Sequence, residues 1–295
     1  LLADPRFGEH QARYWLDAVR YGDTHGLHLD NRRGIYPYRD WVVKAFNENL
    51  PLDDFITWQL AGDLLPEPTL AQRVATGFVR MNPTTGEGGA IPLEFQAKNN
   101  FDRVETFGTV FLGMSLNCAR CHTHKYDPIK QREYYQLLAF FNSTAEPSMD
   151  RNAYEYGTVT RAPEDQDAWA NWQLLKYAQE TLLADADKQL RASAADPPVI
   201  AKWNKSSDDE KLKLLAGASD PWLRMDGNAN ARLIQSRKSE ALKEFTTTLV
   251  AKDLEEPRKT HVLKRGEYDL PVGDPVQPGV IEVMSDLPEG APSNR

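Results

Sequence analysis

The sequence predicts a mainly α fold, and three observations carry that expectation. Apolar residues recur at i, i+3, i+4 and i+7 in one segment after another up to Val250, as in amphipathic helices. Between those segments stand Gly and Pro residues, placed where helices begin and end. Beyond Glu256 the periodicity stops, because Pro257, Pro271, Pro275, Pro278, Pro288 and Pro292 forbid regular helix. The expected layout is a multi-helix domain over residues 1–150, a helical extension over 151–255 and an extended, Pro-rich tail over 256–295.

In chain order, Asp4-Pro5 opens a turn, and Ala12, Trp15, Leu16 and Val19 mark the buried stripe of a first helix, Glu9 to Tyr21. A polar loop with His25 and His28 follows, T-H-G-L-H-L-D-N-R-R-G. Pro37 suits the first turn of a second helix, whose inner face holds Trp41, Val42, Ala45 and Phe46. Leu52 to Leu65 is a third, ended by Pro66 and Pro68, and Thr69 caps a fourth running to Met81. Asn82 to Pro92 is a glycine-rich loop without the Gly-Lys-Ser/Thr ending of a phosphate cradle. Glu87, Glu94 and Asp102-Arg103 read as solvated charge around a helix entrance. From Leu93 a helical pattern runs through Phe101, Val104, Phe107, Val110, Phe111 and Met114 and is expected to continue into Asn117. Gln131 to Phe141 is the next helix. Glu164 to Ser193, Asp208 to Leu215 and Ala231 to Val250 add three more, folding back as antiparallel neighbours.

The chemistry concentrates in Asn117 to Pro128, N-C-A-R-C-H-T-H-K-Y-D-P, which holds both cysteines of the chain. Cys118 and Cys121, followed at once by His122, spell C-x-x-C-H, the attachment signature of a c-type haem. On a helix, positions i, i+3 and i+4 share a face. The two sulfurs can then form thioethers to one porphyrin while the His122 imidazole binds iron from the proximal side. A zinc site wants four ligands, and no second cysteine pair exists. A thioredoxin-like dithiol wants C-x-x-C at a helix start after a strand, whereas Phe101 to Leu116 reads as helix. One covalent haem c is therefore the expected cofactor. His124 and Lys125 are candidates to meet its propionates, with Asp127-Pro128 ending the local helix. His25, slightly ahead of His28, is the candidate sixth ligand to iron, or a distal acid/base if that position is open. Met81, Met114 and Met149 are alternative ligands, and His261 in the tail is an outside candidate.

Composition narrows the classes further. A net charge of −8 with no Lys/Arg block argues against nucleic acid as a partner. No apolar run approaches the ~18 residues that would span a bilayer. Covalent haem attachment takes place on the exported side of bacterial membranes, so the motif implies the periplasm or the cell surface. The chain opens on Leu1 without a signal peptide and is read as a mature piece.

Several stretches together resemble a known family. They are Y-W-L-D-A-V-R-Y-G-D-T-H-G, Y-R-D-W-V-V-K-A-F-N, Q-L-A-G-D-L-L-P, E-G-G-A-I-P, F-D-R-V-E-T, C-A-R-C-H-T-H-K-Y-D-P-I and Y-Y-Q-L-L-A-F-F. In residue types and order, over residues 1 to about 145, they look like the secreted cytochrome-c-like domain family of planctomycetes and verrucomicrobia, a former domain of unknown function. The resemblance implies an exported, mostly helical, haem-c-bearing domain, with Cys118, Cys121 and His122 carrying the motif and His124 and Asp127 in the same run. P-R-K-T-H-V-L-K-R-G-E-Y resembles the junction to a companion domain, so the chain looks like part of a longer polypeptide. Relatives often occur beside sulfatases and carbohydrate-degrading enzymes, which implies a carbohydrate as a candidate substrate. Where many of them carry another residue, this chain has His25.

Three functions follow. The first is an electron-transfer cytochrome with a closed, six-coordinate iron, exchanging electrons with a companion domain or redox partner protein. The second is a haem oxidoreductase with an open distal site, acting on an organic substrate such as a carbohydrate. The third is a non-redox structural or carbohydrate-binding module.

Overall fold

In the computed structural model, which describes residues 2–192, 197–217 and 227–295, the chain folds as two units. One comprises Leu1–Ala162 and Thr247–Arg295, the other Pro163–Thr246. The divisions expected at residues 150 and 255 thus fall at 162 and 247, and the tail belongs to the first unit. Both units are mainly α, and among the described residues no helix is long and apolar enough to cross a membrane.

The first unit begins with α1 (Arg6–Ala18) against α2 (Tyr36–Asn47). Gly8 makes their close approach feasible: a Cβ there would lie 2.3 Å from the Val43 carbonyl oxygen. Its N–H donates to Asn47 Oδ1 at 2.8 Å. Gly8→Ala is expected to wedge α1 from α2, costing about 1–3 kcal/mol, read as a lower urea midpoint with unchanged slope. Helix α3 (Leu52–Ala61) adds Phe55, whose ring stacks on Trp41 at 5.4 Å and 9°. Trp15 donates from Nε1 to Gln59 Oε1 at 3.0 Å, so the indole satisfies its polar end inside this aromatic cluster. Helix α4 (Leu70–Ala75) carries the expected Thr69 cap, a full capping box with Gln72. A 3₁₀ segment, Thr76–Arg80, then takes the place of the further helical turns expected as far as Met81.

Helix α5 (Pro92–Phe107) does not run on into the cysteines. A π turn over Gly108–Leu112 and Gly113 at φ +64° end it, with Met114 N–H closing on the Gly108 carbonyl at 2.9 Å. Leu116 folds back over Gly108, where a Cβ would lie 2.6 Å from its Cγ. Helix α6 (Gln131–Asn142) then packs on α5. Strand β1 (Val159–Ala162) pairs with β2 (Thr246–Leu249), and β3 (Thr260–Leu263) pairs antiparallel with β4 (Pro271–Val276) against α6.

Buried arginines hold the loops of this unit. Arg80, 1% exposed, donates to the carbonyls of Tyr156, Thr158 and Val250. Arg103 donates to Asn82 Oδ1 and Thr144 Oγ1 and pairs with Glu146. Arg103 is therefore a core group, contrary to its expected solvated role, while Asp102 pairs with Arg20.

In the second unit, α7 (Gln166–Ala192), α8 (Pro197–Lys205), α9 (Asp208–Gly217) and α10 (Gly227–Ala241) surround Leu183, Leu190, Trp203, Leu212, Leu215 and Ile234. Helix α8 was not anticipated. The helix expected to reach Val250 stops at Ala241, because the β-branched run Thr246–Thr248 enters β2.

Candidate functional site

The segment Asn117–Arg120 is a short 3₁₀ turn, and Cys121 and His122 follow it in a turn. Side chains at i and i+3 eclipse in such a turn. The Cys121 N–H reaches back to the Cys118 carbonyl at 3.4 Å, which closes one backbone turn between the two cysteines although the long helix expected to present them is absent. Both are free thiols and exposed. Ala119 is the buried anchor of the turn, its N–H donating to the Leu116 carbonyl at 2.9 Å.

Partners from far along the chain hold this turn in place. The Arg120 guanidinium stacks 3.9 Å over Phe101 and donates to the Gly266 carbonyl at 3.0 Å. Its own carbonyl accepts from Tyr135 at 2.9 Å and from Gln131 at 3.1 Å. Cys121 Sγ donates to the Arg265 carbonyl at 3.2 Å. Gly266, at φ +72°, has to be glycine here, since a Cβ would lie 2.6 Å from Arg120 Nε. Arg120, Tyr135 and the Arg265-Gly266 turn are site residues that sequence reasoning missed. The only local signal for them was the R-G pair in L-K-R-G-E-Y.

His122 is exposed, and its Nδ1 lies 2.7 Å from the Thr123 carbonyl oxygen. A carbonyl only accepts, so Nδ1 is the donor in this contact, which leaves Nε2 as the nitrogen turned to other partners. A metal-binding histidine is commonly oriented in this way. Two free thiols one 3₁₀ turn apart, followed by an imidazole whose Nε2 is turned to other partners, are a donor set that suits covalent haem c. Among the described residues no three of His, Cys, Asp and Glu gather to hold a metal ion. A haem asks for only one such protein ligand on its proximal side.

The other expected site residues are placed as follows. His124 shapes the loop: its N–H donates to the Ile129 carbonyl, and its Nδ1 accepts from Asp127 N–H at 2.8 Å. Lys125 is exposed, with Nζ 5.1 Å from the Tyr126 ring centroid. His25 is fully buried, its Nδ1 3.0 Å from Asp150 Oδ2 and 3.1 Å from Thr84 Oγ1. Burial pushes its pKa down against the pull of Asp150. His25 thus sits in a polar cluster of Thr84, Asp150 and Tyr156, none of them from the cysteine motif. His28 is exposed at φ +55°. Met81 is buried, and Met114 and Met149 are half-buried.

A cavity of about 400 Å³ lies between α5, α6 and the β3–β4 hairpin. Phe101 and Tyr135, which also touch Arg120, form part of its wall, together with Leu93, Asn100, Leu138 and His261. His261 donates from Nδ1 to the Gly273 carbonyl at 3.1 Å.

Residues 1–146 match the family described as PSCyt2, a protein of unknown function (DUF1549), and that segment is similar to a planctomycete-type domain of unknown function. Neither a curated protein nor a solved structure matches the chain.

Proposed function

We propose that the first unit is an exported monohaem c-type cytochrome domain that passes electrons to or from a companion catalytic domain or redox partner. The supporting observation is the Cys118-x-x-Cys121-His122 turn, with both thiols free and exposed and the His122 Nδ1 proton committed to a carbonyl. When bound, the haem supplies a one-electron couple. The chain's own part is to present two thiols for thioether formation and one imidazole nitrogen to the iron. Arg120, clamped between Phe101 and Gly266, ties that turn to α5 and to the β3–β4 connection.

The test is made on protein exported through a haem-c maturation pathway. The expected result is a haem-staining band that survives a denaturing gel, with the mass of one haem added. A product of unmodified mass with two alkylatable thiols overturns the proposal, together with the compartment inferred from it.

A second reading has an open iron and an organic substrate held in the protein, and the cavity whose wall shares Phe101 and Tyr135 with Arg120 favours it. The optical spectrum of the oxidised protein with cyanide separates the two. A closed iron leaves the spectrum unchanged, and an open one shifts it.

A further inference from the structure

The β3–β4 hairpin connects the cavity to the cysteine turn. His261 and Leu263 stand two apart on β3, on one face of the strand, and both line the cavity. Two residues farther on, the Arg265 carbonyl accepts from Cys121 Sγ at 3.2 Å. At most about 14 Å of extended chain therefore separates His261 from the residue that holds Cys121. The opposite wall reaches the same turn, since Phe101 lies under the Arg120 guanidinium and Tyr135 donates to the Arg120 carbonyl.

The hairpin also fixes the His261 ring. Thr260 pairs with Val276 and Val262 with Val272, so Gly273 to Pro275 of β4 bulge opposite His261 alone. Bulges re-aim side chains and are common beside functional sites. Here Gly273, at φ +67°, turns its carbonyl to accept from His261 Nδ1 at 3.1 Å. With Nδ1 as the donor, Nε2 is the nitrogen turned to other partners. Metal-binding histidines are held by such a second bond, and the Thr123 carbonyl holds His122 in the same manner. The remaining histidines are placed differently. His25 is buried with Asp150 and Thr84, and His28 is exposed in the same loop. His124 accepts from the Asp127 N–H inside its own loop, and His10 rests edge-on against Tyr14 of α1.

The lining suits a porphyrin face, which is apolar. Leu93, Ala97, Leu138 and Pro271 complete the wall, with the Tyr268 ring beside them. The volume of about 400 Å³ falls within the range of roughly 300–1,000 Å³ found for cofactor pockets.

We propose that His261 Nε2 is the second axial ligand to the haem iron carried by the Cys118, Cys121 and His122 turn, with the porphyrin against this cavity wall. The proposal rests on the electron-transfer reading and gives the cavity to the haem instead of to a substrate.

The test uses the full chain exported through a haem-c maturation pathway. Mass analysis comes first and judges the cofactor alone: a product without haem overturns the cytochrome reading and this ligand with it. The oxidised, haem-bearing parent is expected to be low-spin, to show the paramagnetic-resonance signal of two imidazoles and to ignore cyanide. His261→Ala is expected to keep the haem mass, turn high-spin and take up cyanide. Added imidazole is then expected to restore the parent spectrum, which a merely structural role would not allow. His261→Met is expected to stay six-coordinate with a higher potential, as Met/His ligation raises it. His28→Ala is expected to leave the parent spectrum unchanged. If neither His261 variant accumulates, the parent's resonance signal still decides between two imidazoles and any other ligand pair. An open iron or a sulfur ligand in the parent, or His261→Ala with the parent's spectrum, overturns the proposal while leaving the haem assignment in place.

Discussion

Cys118→Ala with Cys121→Ala is expected to remove the haem-staining band completely, and each single variant to keep one thioether. The reason lies in how the turn is held. Neither thiol is part of the core, and although Cys121→Ala removes the Sγ–Arg265 carbonyl contact, the other anchors, Ala119, the Arg120 guanidinium and the Arg120 carbonyl, are left in place. The haemless protein should therefore keep its helices, with unchanged far-ultraviolet dichroism, while its melting temperature falls. Covering about 400 Å² of porphyrin is worth on the order of 10 kcal/mol before the costs of ordering. The observed loss should be smaller, because the motif lies on an exposed face. A double variant that still stains, or a melting temperature identical with and without haem, would contradict this account.

The largest effect on folding is expected at the Arg103–Glu146 pair. Both groups are about 5% exposed, and Arg103 also serves Asn82 and Thr144. Burial alone would raise the pKa of Glu146. The charges of Arg103 and Arg80 and the Thr144 hydroxyl outweigh that and hold it at about 2. Removing one partner strands the other charge in the interior, so Arg103→Ala or Glu146→Gln should each cost about 3–5 kcal/mol. The pH dependence has a definite sign. A carboxylate depressed from an ordinary 4.5 to about 2 contributes stability that is complete above pH ~4.5 and lost as the pH falls toward 2. Urea unfolding of the parent protein should weaken steeply between pH 4.5 and 2. Glu146→Gln should flatten that slope, and a slope as steep as the parent's would show that other carboxylates govern acid unfolding.

The helices were legible because burial imposes a period on sequence, as Trp15, Trp41 and Phe55 show in the first unit. The Thr69 cap was legible for a similar reason, since one backbone N–H needs one nearby acceptor. The approach to the cysteines was misread. The apolar pattern from Phe101 to Met114 suggested continuous helix, but Gly108 and Gly113 permit a turn, and packing of Leu116 on Gly108 accompanies it. The Arg103 network was hidden because its partners lie 21 to 43 residues away along the chain, beyond the reach of any local pattern. Of the candidate site, the motif could be read in twelve consecutive letters. The hairpin that braces it comes from about 145 positions downstream, and no local spacing announces it.

The chain leaves the first unit after Ala162 and rejoins it at Thr247, and those two points end strands that form one ladder. Topologically, the intervening 163–246 is one long insertion between two paired strands, a guest set into a host whose own fold closes across the gap. Loop-closure cost rises only slowly with length, which makes such insertions cheap for the host. The natural seam for dissecting this protein therefore runs through β1 and β2. A cut at residue 146 would detach the Arg265-Gly266 turn from the cysteines it steadies.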